Sequence, residues 1–327
     1  MKLVYLFNGR LPTEKAHGVQ IVKMCEAFGR LCEVKLVLPY RWNTIKEDVF
    51  VYYSLEKNFA VHYVWALDLM RFVPERIANA LQTVTSLVAF WIHLPHADQY
   101  YVRDYASMAL LAFLGKPFAA EFHDYRSQKP KKLIAFILKK AKKIIANSEG
   151  TKALIMKHYS LSREILVAPN AVDPKFFDIP ETKQEARNEL GLPQDKIIIG
   201  YVGRTEVAGR DKGVGMLKEA FASMKLRAQA ELLLVTSVPY RQVPLYLRAI
   251  DIAVIPFSNQ QHAKTTSPIK LFEYMAARKT IVVADGPDPQ ILANKLDLAV
   301  SHPQPFTGEL PTWNQRAKNI YDHLLHG

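Results

Sequence analysis

The chain has 327 residues, 43 basic and 31 acidic side chains for a formal net charge of +12, and 49% hydrophobic residues. That length is a soft prior of two domains, and that balance is the balance of a folded globular chain. A disulfide-stapled mini-protein and a disordered segment are both excluded.

Short apolar runs alternate with helical patterns along the chain, the signature of repeated βα units and a parallel sheet. A first strand is predicted over 3–7; it meets Asn8-Gly9-Arg10 too soon for a signal peptide. The loop from Gly9 to Gly18 carries Arg10, Glu14, Lys15 and His17 and leads into a helix over 18–31, and Gly18 would let its backbone come close to a phosphate. Cys25 and Cys32 have no partnering Cys or His pattern, so neither a zinc site nor a disulfide framework is expected, and a reducing cytoplasm fits. Strands follow over 34–38 and 61–64, then a helix over 71–90. The longest near-apolar stretch, 87–94, includes His93 and falls far below the roughly 18 residues of a spanning helix. Further strands are predicted over 100–102, 118–122, 144–146 and 165–168. Helices are predicted over 131–142 and 149–158, the latter with Ser148 as N-cap and Glu149 in its first turn.

The turn-rich stretch Pro169-Asn170-Ala171-Val172-Asp173-Pro174 reads as a linker. A second series starts with a strand over 197–202 and continues through 232–235, 252–255 and 280–284. The expected architecture is α/β, two Rossmann-like doubly wound parallel-sheet domains over 1–172 and 173–310, with a C-terminal helix in 311–327. Ligands of such sheets bind outside the carboxyl ends of the strands, so a cleft between the domains is the expected site.

Charge is unevenly placed. Residues 1–170 carry 24 basic and 14 acidic side chains, whereas 171–327 carry 19 and 17. Within the first half, Arg126, Lys129, Lys131, Lys132, Lys139, Lys140, Lys142 and Lys143 surround the apolar block 133–138 with no acid among them. A segment of this kind, residues 126–143, suits an anionic membrane surface; a solvated helix face with its apolar side turned inward fits the same pattern. Nucleic acid is not an expected partner, because no nucleic-acid-binding motif accompanies the charge.

Gly203-Arg204 follows a predicted strand, and Lys212-Gly213 precedes a helix beginning near Val214. Two cations at the mouth of a strand-to-helix loop suit a diphosphate, held bidentately by arginine and as a point charge by lysine. Ordinary surface loops also hold such cations. In Ser267-Pro268-Ile269-Lys270-Leu271-Phe272-Glu273, Ser267 reads as N-cap and Pro268 as the first helical residue, leaving the amides of Ile269, Lys270 and Leu271 open to an anion. Glu273, a turn and a half in, could accept two hydrogen bonds from a sugar diol or merely complement the helix dipole. His123, just past an apolar strand, faces the expected cleft, although a lone histidine is more often structural.

Taken in order, these residues resemble glycosyltransferase family 4, retaining nucleotide-sugar enzymes of the GT-B architecture. The resemblance rests on Ala146-Asn147-Ser148-Glu149-Gly150-Thr151-Lys152, Val167-Ala168-Pro169-Asn170-Ala171-Val172-Asp173, Tyr201-Val202-Gly203-Arg204 with Lys212-Gly213, and Ser267 to Ala276. It implies that Arg204 and Lys212 bind the donor diphosphate, that the amides of 269–271 assist, that Glu273 holds the ribose, and that His123 and Gly18 lie near the donor sugar and phosphates. It implies a saccharide or lipid-linked acceptor on the basic first domain, no cofactor and no metal. It also implies a last helix that crosses back onto that domain.

Four features depart from the family pattern. Thr265 stands where the first of two glutamates belongs, removing a sugar-contacting carboxylate. The loop between Gly203 and Lys212 is three residues longer than the commonest form, offering Arg210 as an alternative ligand. Arg278 stands where a glycine commonly follows the alanines, and the second domain has no room for one βα segment. These departures keep open a catalytically inactive nucleotide-binding or scaffold subunit docking through its basic half, and a nucleotide-sugar epimerase remains a further alternative. The expected location is cytoplasmic, or peripheral on the inner face of the cell membrane.

Overall fold

The computed structural model describes residues 1–69, 72–123, 130–207, 210–236, 238–257, 265–284 and 286–326. The chain divides into two units, Met1–Pro169 with Trp313–Gly327, and Asn170–Thr312.

In the first unit, β1 (Lys2–Leu6), β2 (Glu33–Tyr40), β3 (Ala60–Trp65), β4 (Gln99–Val102), β5 (Phe118–Phe122), β6 (Lys143–Ala146) and β7 (Leu166–Val167) form one sheet in the order β3-β2-β1-β4-β5-β6-β7. All six pairings are parallel. The order reverses between β1 and β4, so the segments after Leu6 and Val102 flank a topological switch point. One face of this sheet is covered by the helices Glu75–His93, Tyr105–Phe113 and Lys131–Lys140, which share a core with Val4, Val102, Phe118 and Phe122. Against the other face lies Ala16–Gly29, and the C-terminal helix Trp313–Leu325 packs beside it.

The predicted strands recur with each bound shifted by at most two residues. In the first unit two helices escape the periodicity reading, Val49–Tyr53 and Tyr105–Phe113. The second is apolar at most positions, so no 3.6-residue stripe marks it. Its one local signal is Asp104, whose carboxylate accepts from the Ser107 amide at 2.8 Å. The helix expected over 131–142 ends at Lys140, and Ile134, Ile137 and Leu138 turn into the core. The inward-facing alternative for this block is therefore the observed one; Arg126 and Lys129 lie outside the described residues.

In the second unit, β8 (Ile197–Val202), β11 (Ala230–Val235), β12 (Ile252–Ile255) and β13 (Thr280–Val283) form a parallel sheet in the order β11-β8-β12-β13. A two-stranded hairpin of β9 (Glu206–Val207) and β10 (Arg210–Asp211) stands apart from it. The order reverses between β8 and β12, placing this unit's switch point at Gly203 and Pro256. With four strands the second sheet is the smaller, as the short segment between 236 and 243 requires. Among the described residues, no helix is long and apolar enough to cross a membrane.

Candidate functional site

Each unit brings polar side chains to its own switch point, and the two groups differ in kind. In the second unit β8 ends at Val202. The Val202 amide donates to the Tyr274 hydroxyl at 3.1 Å, and its carbonyl accepts from the Lys270 ammonium. Both partners come from the helix Ile269–Ala276, which thereby ties down the end of the strand where Gly203 begins. Gly203 has φ of +144°, and a Cβ there would stand 1.5 Å from Lys270 Nζ. That φ favours glycine, and Lys270 Nζ occupies the space a side chain would take. Lys270 Nζ also lies 5.3 Å from the centre of the Tyr201 ring. Its pKa is lowered by burial and by Lys212, against the pull of Glu273.

Gly213 caps the helix Val214–Ala222 with φ of +87°, and a Cβ there would meet the Pro256 carbonyl oxygen at 1.8 Å. This contact brings the helix N-terminus against the end of β12, at the switch point. The Lys212 amide donates to the Thr205 carbonyl at 2.8 Å, closing the loop, and the Tyr201 hydroxyl donates to the Arg204 carbonyl at 2.8 Å. The backbone at both cation positions is thus fixed while the Arg204 and Lys212 side chains stay exposed. Arg210 pairs with Val207 through its backbone, and its side chain lies outside the described set.

Two details of the helix start differ from expectation. Pro268, not Ser267, is the N-cap residue and no side chain caps the helix. The Ser267 hydroxyl instead accepts from the Asn170 amide at 2.8 Å, and the Ser267 carbonyl accepts from the Asn170 side chain. The Leu271 amide is not open to an anion, because it donates to the Pro268 carbonyl at 3.1 Å. Ile269 and Lys270 remain as the leading amides of the helix. Glu273 is 7% exposed. Burial raises its pKa, opposed by the charge of Lys270 and by a hydrogen bond from the Tyr240 side chain. Thr265 is buried.

In the first unit the centre is Glu121, wholly buried on β5. Tyr101 donates to its Oε2 at 2.8 Å, His123 Nε2 lies 2.8 Å from its Oε1, and Arg316 of the C-terminal helix also meets Oε1. Gln20 reaches both oxygens at 3.4 Å and in turn accepts from Arg103. Burial would raise the Glu121 pKa, but the Arg316 guanidinium overrides it and holds the carboxyl well below the usual carboxylate range. Arg316 is fixed further by the carbonyls of Pro169 at 2.8 Å and Ala168 at 3.0 Å.

His123 is lowered to about 4 by burial and the Arg103 charge, outweighing Glu121. His17 falls to about 3 by burial, with the charges of Arg103, Lys15 and His123 adding to it. Gly18 is buried, and its missing Cβ has a packing reason: a methyl there would meet the Tyr53 hydroxyl at 2.3 Å. That hydroxyl clamps Thr13, accepting from its amide at 2.8 Å and donating to its carbonyl at 2.7 Å. Sequence reasoning singled out His123 and passed over Glu121, Tyr101 and Arg316. The available signal was a carboxylate inside the apolar run of β5, which has to be paired if buried.

Among the described residues no group of three His, Cys, Asp or Glu could hold a metal ion. The chemistry on offer is cationic: in the second unit, two exposed cations, a buried ammonium and two helix N-termini meet at the end of β8, an arrangement suited to a dianionic ligand such as a diphosphate.

Residues 17–176 match the model of Glycosyltransferase Family 4. A partial relative is TuaC of Bacillus subtilis (strain 168), named as a glycosyltransferase of teichuronic acid biosynthesis. It is 32% identical over 126 residues, covering 34% of this chain and 30% of that protein. The whole chain is similar in fold to sucrose-phosphate synthase from Thermosynechococcus elongatus, with a TM-score of 0.73 at 15% identity over 99% of this chain and 94% of that one. It is likewise similar to HepE from Anabaena, solved with UDP-glucose, with a TM-score of 0.69 at 13% identity over 99% and 95%. Over residues 17–176, then, the chain carries the sequence pattern of Glycosyltransferase Family 4, and along its length it has the two-sheet fold of the GT-B glycosyltransferases.

Proposed function

We propose that the chain is a retaining glycosyltransferase that moves a hexose from a nucleotide diphosphate sugar to a saccharide or lipid-linked acceptor. The observation that carries this reading is the cation cluster at the second switch point, where Arg204 and Lys212 are exposed on a backbone fixed by Gly203 and Gly213. The family match over 17–176 and the likeness to a fold solved with UDP-glucose support it.

In this reading Arg204 and Lys212 neutralise the diphosphate as it leaves, helped by the Ile269 and Lys270 amides at the helix N-terminus. The acceptor hydroxyl oxygen bonds to the anomeric carbon, the bond from that carbon to the diphosphate oxygen breaks, and the hydroxyl proton passes to the departing diphosphate. Fixed cations do the electrostatic work, and the reading expects neither metal nor cofactor. Glu273 is assigned to the ribose; an ionised carboxylate has about four lone-pair sites, so the Tyr240 hydrogen bond leaves capacity for a diol. His123 is assigned to the transferred sugar and Gly18 to the loop near the phosphates. The net positive first half favours an anionic or membrane-borne acceptor, and hence work at the inner face of the cell membrane.

The test is transfer from UDP-, GDP- and ADP-sugars to a panel of saccharide and lipid-linked acceptors. Arg204→Ala and Lys212→Ala should each lower turnover by about 10²–10³-fold with unfolding unchanged, the range for losing one transition-state donor. Normal turnover by both variants would refute the assignment. Thr265 in place of a carboxylate favours a second reading, a nucleotide-binding subunit without activity, which predicts nucleotide binding but no transfer or hydrolysis with any donor.

A further inference from the structure

The helix Glu75–His93 buries two polar side chains while exposing six large apolar ones. Its buried face carries Gln82 and Ser86 beside Ala78, Ala89 and Phe90. Gln82 donates to the Asp68 carboxylate, and Ser86 accepts from Arg41 at 3.4 Å. Arg41 also donates to Asn8 at 2.7 Å, so the polar face of the helix turns toward the end of β1. The outward face carries Ile77, Leu81, Val84, Val88, Trp91 and Ile92, every one of them between 41% and 65% exposed. From Ile77 to Trp91 these positions recur at four, three, four and three residues, one continuous stripe over about four turns. Scattered exposed apolar residues need no explanation, but a stripe of this length on a helix that buries Gln82 and Ser86 does.

Charge around the stripe selects the occupant. Glu75–His93 packs beside Tyr105–Phe113, and that helix beside Lys131–Lys140, in one layer over the same sheet face. On the outside of this layer Phe113 is 80% exposed and Arg76, Lys131, Lys132, Lys139 and Lys140 are all exposed. In sequence the three helices contain one acidic residue, Glu75. A twofold pairing through this face would bring two cationic layers together. An anionic lipid surface instead meets the apolar stripe with its acyl boundary and the lysines with its headgroups.

We infer that this helix layer is a docking surface for anionic membranes, in which the 77–92 stripe inserts at the headgroup boundary and the lysines of 131–140 bind headgroups. The apolar block 133–138 is not the inserting element, because Ile134, Ile137 and Leu138 are buried. The inference deepens the membrane-face location proposed above and rests on that part of it, and its test uses neither donor nor acceptor, so vesicle binding and sugar transfer can fail independently.

The test is flotation of the full chain with vesicles of pure phosphatidylcholine and with vesicles rich in phosphatidylglycerol, whose negative surface attracts Lys and Arg near it. Binding is expected to the anionic vesicles only, with Trp91 fluorescence quenched by brominated lipid and the quenching reduced in Trp91→Phe. The double variant Trp91→Gln/Ile92→Gln should bind at least about tenfold more weakly at an unchanged melting temperature. Should that variant unfold, Lys131→Gln/Lys132→Gln/Lys139→Gln/Lys140→Gln supplies the second arm, with a comparable loss that salt mimics in the parent chain. No binding of the parent chain to anionic vesicles would overturn the inference. So would a stable dimer in sedimentation that Trp91→Gln/Ile92→Gln abolishes, which would assign the stripe to a second copy.

Discussion

The two switch points make opposite use of charge. In the first unit Glu121 and Arg316 neutralise one another inside a buried network in which His123 and Tyr101 touch the same carboxylate. In the second, Arg204 and Lys212 stand exposed, and the nearby carboxylate of Glu273 is buried. A paired buried charge organises a fold, since its field is spent on its partner; exposed cations on a fixed backbone suit an anion that arrives from outside. The Glu121–Arg316 pair is therefore read as scaffold that also holds His123 in place, and the second centre as the proposed diphosphate site.

The largest way to break that contrast is Arg316→Ala, which leaves Glu121 buried without its counter-charge. Urea unfolding should show a loss of about 3–5 kcal/mol in the first unit. The pair Glu121→Gln/Arg316→Met should recover much of it, because removing both charges removes the desolvation cost of each. A loss under about 1 kcal/mol for the single variant would contradict the scaffold role.

Acid should also single out the first unit. His123 has its pKa lowered to about 4 and His17 to about 3, so the folded chain refuses protons that the unfolded chain accepts from about 6.5 downward. This stability is full above pH 6.5 and is lost as pH falls toward 4 for His123 and toward 3 for His17, at up to about 1.4 kcal/mol per pH unit for each histidine. His123→Asn should flatten the curve across that window. An unchanged slope would remove His123 as a cause.

Gly213→Ala breaks the second unit without touching the first. The added methyl meets a backbone oxygen at 1.8 Å on a residue with φ of +87°. A loss of roughly 1–3 kcal/mol is expected, with weaker nucleotide binding. The smallest effect belongs to Arg278, which has φ of +54° just beyond the helix Ile269–Ala276. Arg278→Gly relieves that conformation but gives up a 2.8 Å hydrogen bond to the Gly308 carbonyl and a contact with the Phe306 ring. The net change in melting should therefore stay within that of about 1 kcal/mol of stability.

The same contrast explains what could be read before any coordinates. The second site was legible, because Gly203-Arg204, Lys212-Gly213 and the run from Ser267 to Glu273 each mark the end of a strand or the start of a helix, where local rules are strongest. The hydrogen bonds that lock it were not: Tyr274 and Lys270 reach Val202 across 72 and 68 residues. Ser267 was misread as a cap for a similar reason, since Asn170 engages its hydroxyl from 97 residues away. The first centre was almost wholly hidden, because Glu121 and Arg316 are 195 residues apart and no spacing rule spans that distance. The C-terminal helix betrayed its apolar side through Trp313, Ala317, Ile320 and Leu324, all buried, while the arginine between them carried no local mark.

The most direct test of the second switch point is calorimetric titration of UDP, GDP and ADP, each beside its nucleoside, into the parent chain and into Arg204→Ala/Lys212→Ala. The account predicts that one diphosphate binds the parent chain, that the double variant binds it at least about 100-fold more weakly, as the loss of two charge-assisted contacts implies, and that its nucleoside binds both alike. Equal affinity of that diphosphate for the two proteins would contradict it.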